Sequence, residues 1–248
     1  QFLGFPHYGD EYKVMGLAPY GEPKYVDKVR ELLKFLPNGL YSWNKKFFVQ
    51  PTKAGFKYEN NIPSVGNLFS DKFVKAFGPP RQKTEPLLQY HKDLAASVQR
   101  VTEELIFHIL KSLREKTGMK NVCIAGGVAQ NSVANGKVAA ATGFEGVYIP
   151  SAGHDAGIAM GSALYFYNHI LNQPRGKPVY NAYTGIKFSN NEIEKILKER
   201  KIEYRLLPDE ELYEIVTEKL IEPGVVGWFN GRAEFGPRAL GARSILAD

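Results

Sequence analysis

The chain has 248 residues and a single cysteine, Cys123, so no disulfide can form within it. A small fold that depends on disulfides is therefore excluded, and a reducing compartment such as the cytoplasm is expected. Cys123 stands in an apolar run, which predicts a buried small hydrophobic side chain rather than a nucleophile.

The sequence also lacks any apolar run near the ~20 residues of a membrane-spanning helix, and no basic-then-apolar signal opens it. Lys and Arg number 32 against 26 for Asp and Glu, giving a formal net charge of +6, but they form no long basic run. We therefore expect neither a membrane nor a nucleic-acid partner, since anionic small substrates explain the bias equally well. The chain begins at Gln1 without Met, and we expect a piece of a longer polypeptide.

The hydrophobic spacing predicts an irregular first part and a regular second part. Residues 1–23 are expected to be loop-like, and residues 40–85 to form short strands and an irregular excursion. Gly118 is expected to end the longest helix. Helices are predicted over 24–36, 85–116, 129–142, 155–171, 189–200 and 209–222, and strands over 121–125, 146–150, 202–207 and 225–229. Strands that alternate with helices predict an α/β fold.

A glycine pair, Gly126 and Gly127, comes directly after the first of these strands, and Asn131 lies five residues after Gly126. Such a pair lets the backbone approach a phosphate closely, and the next helix offers its N-terminal N–H groups. The same pair is also typical of a tight turn that needs glycine only for its backbone angles. Both interpretations stay open on this segment alone.

An acidic turn comes after the second strand, where Asp155 precedes a helix of small residues. From the segment alone an N-cap is favoured, because Asp often caps helices. The alternative is a metal ligand that faces nucleotide phosphates.

Near the end of the chain, Arg232, Arg238 and Arg243 are spaced by six and five residues, with Glu234 among them. Guanidinium groups bind phosphate and carboxylate through paired hydrogen bonds, so an anion site is predicted. The alternative is that these arginines are ordinary solvent-exposed charges, with Glu234 as an ion-pair partner within the chain. In the first segment, Lys13 could meet a phosphate, or it could belong to an ordinary polar loop.

Taken together, four segments resemble, in the same order, the O-carbamoyltransferases of the nodulation-protein-U and tobramycin carbamoyltransferase type. The segments are 9–21, 125–131, 149–157 and 231–248. The resemblance implies the second part of an ASKHA (actin-like, ribonuclease-H-like) domain over 1–175. The first part of a YrdC-like α/β domain would come next, over 176–248.

The resemblance also implies a reaction. The YrdC-like module is expected to activate carbamoyl phosphate with ATP, giving carbamoyl adenylate and pyrophosphate. The ASKHA module then passes the carbamoyl group to a hydroxyl of a small acceptor, a sugar or natural product, and releases AMP. Mg²⁺ would accompany ATP, an iron-type divalent metal would help to hold the adenylate, and a homodimer is possible.

The resemblance implies site residues position by position. Asp155 matches the family's metal ligand, which reverses the preference for a cap. The nucleotide-binding positions are Lys13, Gly21, Gly126, Gly127 and Asn131, and the carbamoyl-phosphate and ATP positions are Arg232, Glu234, Arg238 and Arg243. The family's pair of metal-binding histidines, spaced four apart, is missing, so weak metal binding and slow turnover are expected of this chain alone.

Two other functions stay open at this point. An ASKHA-type small-molecule kinase would explain Gly126, Gly127 and Asp155 but leaves the arginine cluster without a role. A nucleotide-binding module without catalysis is the other. The sequence does not name the general base or the acceptor.

Overall fold

The computed structural model describes residues 1–7, 9–59 and 61–247. The chain is mixed α/β, and its strands form two-stranded sheets. Contacts divide it into two compact units. Unit 1 comprises Gln1–Cys123 and Gln130–Tyr148, and unit 2 comprises Ile124–Ala129 and Ile149–Asp248. The predicted domains, with a boundary at residue 175, stay predictions.

Unit 1 contains seven α-helices and six strands within its described residues. The helices are α1 (Glu11–Leu17), α2 (Val26–Arg30), α3 (Pro51–Ala54), α4 (Asp71–Phe77), α5 (Gln89–Thr117), α6 (Ser132–Asn135) and α7 (Val138–Thr142). The strands are β1 (Leu33–Phe35), β2 (Tyr41–Trp43), β3 (Phe56–Glu59), β4 (Ile62–Val65), β5 (Asn121–Cys123) and β6 (Gly146–Tyr148). β1 pairs with β2 and β3 with β4 antiparallel, whereas β5 and β6 are parallel.

Helix α5 is the centre of the core of unit 1. Its buried residues Leu94 and Val101 pack in one apolar cluster with side chains from α2, α4 and the first residues of the chain. The helix ends as predicted at Gly118, which has φ 63° and donates its N–H to Arg114 at 2.8 Å. It begins at Gln89 rather than near residue 85, because the chain is extended at Leu88.

Several predictions in unit 1 are wrong at the level of local structure. Residues 1–23 contain α1 and a 3₁₀ turn, and the predicted helix 24–36 ends at Arg30 and gives way to β1. The hairpin β1–β2 forms because Asn38 and Gly39 take positive φ angles of 64° and 74°. The predicted helix 129–142 is divided into two short helices, α6 and α7.

Cys123 is exposed, contrary to the prediction of a buried side chain. It lies on β5, where alternate side chains point to opposite faces. Val122 is buried, so Asn121 and Cys123 face outward. An apolar run of this length does not show which of its residues will face the core.

Unit 2 contains α8 (Gly157–Tyr165), α9 (Asn190–Glu199) and α10 (Asp209–Ile221), with β7 (Val225–Phe229) antiparallel to β8 (Arg243–Ala247). The predicted capping box is confirmed, since Ser189 and Glu192 exchange hydrogen bonds between side chain and backbone at 2.8 and 3.3 Å. The strand predicted over 202–207 does not form. Among the described residues of unit 2, the buried apolar side chains are all alanines: Ala129, Ala152, Ala182 and Ala242.

No helix in the described part of the chain combines the length and the apolar character that crossing a membrane requires.

We expect Gly21→Ala to destabilise unit 1 by about 1–3 kcal/mol, because a Cβ there would overlap the carbonyl group of Lys92 on α5. Gly16→Ala is the matched control, since a Cβ at Gly16, within α1, would meet nothing within 4 Å. Alanine in a helix should stabilise the control by roughly 0.5–1 kcal/mol. Urea unfolding of both variants measures the difference, and equal stabilities would contradict the close approach.

Candidate functional site

The three arginines lie at the hairpin between β7 and β8, within and beside a glycine-rich loop, residues 230–242, which we call the arginine loop. The strands place Phe229 opposite Arg243, and Asn230 donates its N–H to the carbonyl of Ala242 at 2.8 Å. Gly231 (φ 70°) and two further glycines of the loop have positive φ angles, which allow the chain to turn at these positions. The loop is therefore closed at its base by strand pairing.

A buried carboxylate organises the interior of the arginine loop. Glu234 is only 3% exposed, and its Oε1 accepts hydrogen bonds from the N–H groups of Leu240 at 2.6 Å and Ala242 at 2.7 Å. Burial by itself raises the pKa of Glu234. The backbone hydrogen bonds, that of Ala242 foremost, outweigh burial and lower the pKa from 4.5 to about 2. The side chain is therefore ionised at neutral pH.

Arg243 contributes to the same arrangement. Its Nη2 donates to the carbonyl oxygens of Glu234 at 2.9 Å and Gly236 at 3.2 Å, and its Nε lies 3.3 Å from Oε2 of Glu234. Arg232 donates from Nη1 to the carbonyl of Gly185 at 2.7 Å. Arg232 and Arg243 thus donate to backbone carbonyls, and the side chain of Arg238, on the loop between them, is exposed. The predicted anion-binding roles stay predictions.

An extended segment, residues 182–187, lies along the outer side of the arginine loop. Phe235 donates its N–H to Ala182 at 2.7 Å, and Gly185 donates to Ala233 at 2.9 Å. The hydroxyl of Tyr183 donates to the carbonyl of Leu240 at 3.0 Å. Sequence reasoning missed this segment, because its residues show neither strand periodicity nor a motif.

Unit 2 also brings the arginine loop against the acidic turn, residues 151–157. A Cβ on Gly236 would lie 2.9 Å from the carbonyl oxygen of Ser151, and Gly236 has a φ of 156°. On the other side, the N–H of Gly126 donates to the carbonyl of Gly153 at 2.6 Å. The arginine loop, the acidic turn and the glycine pair therefore lie within one compact unit.

The glycine pair has open space around it. Gly126 has φ 110°, and a Cβ on Gly126 or Gly127 would meet nothing within 4 Å. The chain continues from the pair as a four-residue 3₁₀ turn, Gly127–Gln130, and not as the long helix that the sequence predicted. A helix N-terminus therefore gives no support to phosphate binding here, whereas the accessible glycine backbone is compatible with it.

Asp155 is not a helix cap, so that interpretation is wrong. Helix α8 begins at Gly157, and its N-cap is Ala156, which makes no side-chain capping bond. The carbonyls of His154 and Asp155 accept the first N–H groups instead, at 2.9 and 3.1 Å. The side chain of Asp155 is thus left exposed for another role.

The described residues do not fit a complete metal centre. They contain no group of three or more His, Cys, Asp and Glu side chains placed to hold a metal ion. Beside Asp155, the turn adds only His154, whose buried Nδ1 has no hydrogen bond within the described chain. A divalent transition metal such as zinc usually has at least three protein ligands, so these residues alone supply too few for a site of that kind.

Lys13 and Asn131, which are predicted to bind the nucleotide, both have side-chain partners within unit 1. Lys13 lies 2.6 Å from the buried carboxylate of Asp10, and this hydrogen bond raises the pKa of Lys13. Asn131 caps α6 by accepting the N–H of Ala134 at 3.0 Å, and it exchanges amide hydrogen bonds with Gln99 on α5 at 3.0 and 3.1 Å. These contacts explain the residues without a ligand, and their nucleotide roles stay predictions.

We expect the carboxyl of Glu234 to titrate near pH 2 in the folded chain, and ¹³C NMR of the side-chain carboxyl measures this directly. Because its pKa is lowered on folding, its contribution to stability is complete above about pH 4.5 and is lost as the pH falls towards 2. Glu234→Gln should therefore be less stable than the wild type at pH 6, with a smaller difference at pH 3. A titration near 4.5 would contradict the buried hydrogen bonds.

Two family models match the chain, the carbamoyltransferase N-terminus over residues 1–164 and the carbamoyltransferase C-terminus over residues 217–248. An uncharacterized protein of Synechocystis is 42% identical over all of this chain and 40% of its own length. Nodulation protein NolNO of Sinorhizobium fredii is 35% identical over all of this chain and 33% of its own. The 3'-hydroxymethylcephem-O-carbamoyltransferase of Streptomyces clavuligerus is 29% identical over 50% of this chain and 22% of its own. The chain spans two fifths or less of each of these relatives, and it belongs to the carbamoyltransferase family.

Proposed function

We propose that this chain is part of an ATP-dependent O-carbamoyltransferase that acts on a hydroxyl of a small acceptor, a sugar or a natural product. The observation that carries the proposal is the contact between the arginine loop, at Gly236, and the acidic turn, at Ser151. Membership of the carbamoyltransferase family supports it, and one relative is by name an O-carbamoyltransferase. The proposal includes ASKHA and YrdC-like modules, a cytoplasmic location and a homodimer.

The chemistry requires activation because a carbamoyl group is a poor electrophile until its leaving group is stabilised. Carbamoyl phosphate, water and ATP would give carbamoyl adenylate, inorganic phosphate and pyrophosphate. The acceptor hydroxyl would then form a bond to the carbamoyl carbon, the bond to the AMP oxygen would break, and the hydroxyl proton would pass to a base. Both steps use highly charged phosphate groups, which suits a site rich in arginine.

We propose two different roles for the arginines in this scheme. Glu234 and Arg243 bind the loop backbone and fix its shape, so they preorganise the site. Arg238, exposed on the loop, is the residue we assign to the anionic substrate, with Arg232 beside Gly185 at the base of the loop. Preorganised charge of this kind costs no rearrangement during the reaction.

The remaining positions are assigned to the nucleotide and the metal. We propose that Gly126 and Gly127 bind nucleotide phosphate. We assign nucleotide-binding roles also to Lys13, Gly21 and Asn131 of unit 1. Asp155 would supply one carboxylate to a divalent metal, and the other ligands would come from outside the described residues. When bound, such a metal would neutralise negative charge on the leaving group.

The reaction products test the proposal. The assay uses what we call the extended protein, meaning this chain together with the sequence encoded on either side of it. With ATP and carbamoyl phosphate, we expect AMP and pyrophosphate, whereas a kinase of the same fold would give ADP. Arg238→Ala should lower kcat/KM for carbamoyl phosphate by about tenfold or more, because a charge-assisted hydrogen bond to phosphate contributes ~1.5–3 kcal/mol.

Arg205→Ala is the matched control for Arg238→Ala, since it removes another exposed arginine of unit 2 that lies outside the loop. Its kinetics should equal those of the wild type. If Arg238→Ala and Arg205→Ala both leave kcat/KM unchanged, the arginine loop is not the carbamoyl-phosphate site.

We expect Asp155→Asn in the extended protein to reduce metal content and carbamoyl transfer while adenylate formation continues. The substitution preserves the side-chain shape but removes the charge that a divalent cation needs. Metal analysis of the purified variant and separate assays of ATP–pyrophosphate exchange and of transfer measure the three effects. Full metal content together with full transfer would remove Asp155 from the site.

A further inference from the structure

A network of polar side chains in unit 1 links helix α5 to Asn131. Both carboxylate oxygens of Glu103, a buried residue of α5, lie 2.8 Å from Nζ of Lys137. One turn earlier on α5, Nε2 of Gln99 donates to Oε1 of Glu103 at 3.0 Å. The same Nε2 donates to Oδ1 of Asn131 at 3.1 Å, and Nδ2 of Asn131 donates to Oε1 of Gln99 at 3.0 Å. We call these four residues the α5 polar network.

The donors and acceptors of the α5 polar network fix the orientation of its two amides. The carboxylate of Glu103, paired with Lys137, offers only acceptors, so Gln99 has to present Nε2 to it. That choice turns Oε1 of Gln99 towards Nδ2 of Asn131. The N–H of Ala134, which donates to Oδ1 of Asn131 at 3.0 Å, requires the same orientation from another side. The Asn131 amide therefore cannot turn over without breaking its three hydrogen bonds.

This orientation leaves one donor of Asn131 over. An asparagine amide carries two N–H groups on Nδ2. Within the described residues, Nδ2 makes one hydrogen bond, to Gln99, and because the two amides are paired it uses the N–H on the same side as Oδ1. The second N–H points away from Gln99. A donor held in one direction suits a charged acceptor such as a phosphate oxygen.

Joining α5 to α6 does not by itself require this network. The cap of α6 needs only the bond from Ala134 to Asn131, and well-packed apolar side chains are often as stabilising as a buried ion pair. Apolar packing could not, however, set the direction of an N–H group. The network thus provides a donor that is already oriented before a ligand arrives, which lowers the cost of binding.

We propose that Gln99 and Glu103 are positioning residues of the nucleotide site. They hold Asn131 so that the second N–H of its Nδ2 donates to a phosphate oxygen of the bound adenylate and, after transfer, of AMP. This inference rests on the nucleotide role proposed above for Asn131. Gln99 lies 32 residues before Asn131 in the sequence, and no motif points to it.

A double-mutant cycle in the extended protein tests the inference, with the Kd for AMP measured by isothermal titration calorimetry. Gln99→Met keeps the length of the side chain but removes the amide pair, and it should raise the Kd about fivefold or more. Asn131→Ala should raise it about tenfold or more, as the loss of a hydrogen bond to a charged group does. In the Asn131→Ala background, Gln99→Met should have no further effect, because Gln99 acts through Asn131.

Thr102→Val is the matched control, because it removes a side-chain hydrogen bond of α5 that lies outside the network, the one to the carbonyl of Val98 at 2.8 Å. Its Kd should equal that of the wild type. An unchanged Kd in Gln99→Met overturns the inference, and so does an equal effect of Gln99→Met with and without Asn131. A wild type that does not bind AMP also overturns it. The proposed reaction is judged separately, by whether the wild type gives AMP and pyrophosphate.

A crystal structure of the wild-type extended protein with AMP gives a second measurement that needs no substitution. We expect a phosphate oxygen within about 3.2 Å of Nδ2 of Asn131, with the amide pair to Gln99 unbroken. A phosphate bound only by other residues would contradict the inference, as would an Asn131 side chain turned away from Gln99.

Discussion

The candidate site depends on one buried carboxylate. Oε1 of Glu234 accepts hydrogen bonds from the N–H groups of Leu240 and Ala242, which lie six and eight residues further along the chain. A buried charge is tolerated only when other polar groups replace its water. Here the backbone supplies hydrogen bonds to Oε1, and Nε of Arg243 lies 3.3 Å from Oε2. These bonds join the end of the arginine loop, at Leu240 and Ala242, to Glu234 near its start. The carbonyls that Arg243 contacts, and the contact between Gly236 and Ser151, depend on that closure.

A second buried carboxylate has the same function in unit 1. Asp93 on α5 is 3% exposed and accepts hydrogen bonds from the N–H of Glu22 at 2.9 Å and from Gln89 at 2.7 Å. Lys24 lies 3.2 Å from it. Hydrogen bonding from Glu22 foremost lowers the pKa of Asp93, and it holds the Gly21 segment against α5. In both units, a loop that resembles a ligand-binding motif is held in place by a buried carboxylate that accepts backbone hydrogen bonds.

The sequence predicted the elements that are specified by neighbouring residues. Its predictions failed where contacts between distant residues determine the structure. The capping box at Ser189 and the αL glycine Gly118 are complete within a few residues, and both predictions are confirmed. The start of α6 at Ser132, rather than at residue 129, could not be predicted, because its cap Asn131 also pairs with Gln99 from a distant helix. The outward orientation of Cys123 depends on the register of β5 with β6, which the apolar run does not encode.

For the candidate site, the sequence singled out the segments but did not predict which contacts each residue makes. Composition groups Arg243 with Arg238, and only the structure shows that Arg243 binds the loop itself. The most direct measurement of this account is a crystal structure of the extended protein with carbamoyl phosphate. We predict the phosphate within hydrogen-bonding distance of Arg238, with Glu234 still bonded to Leu240 and Ala242. A phosphate bound by Arg243, with the Glu234 bonds broken, would contradict the account.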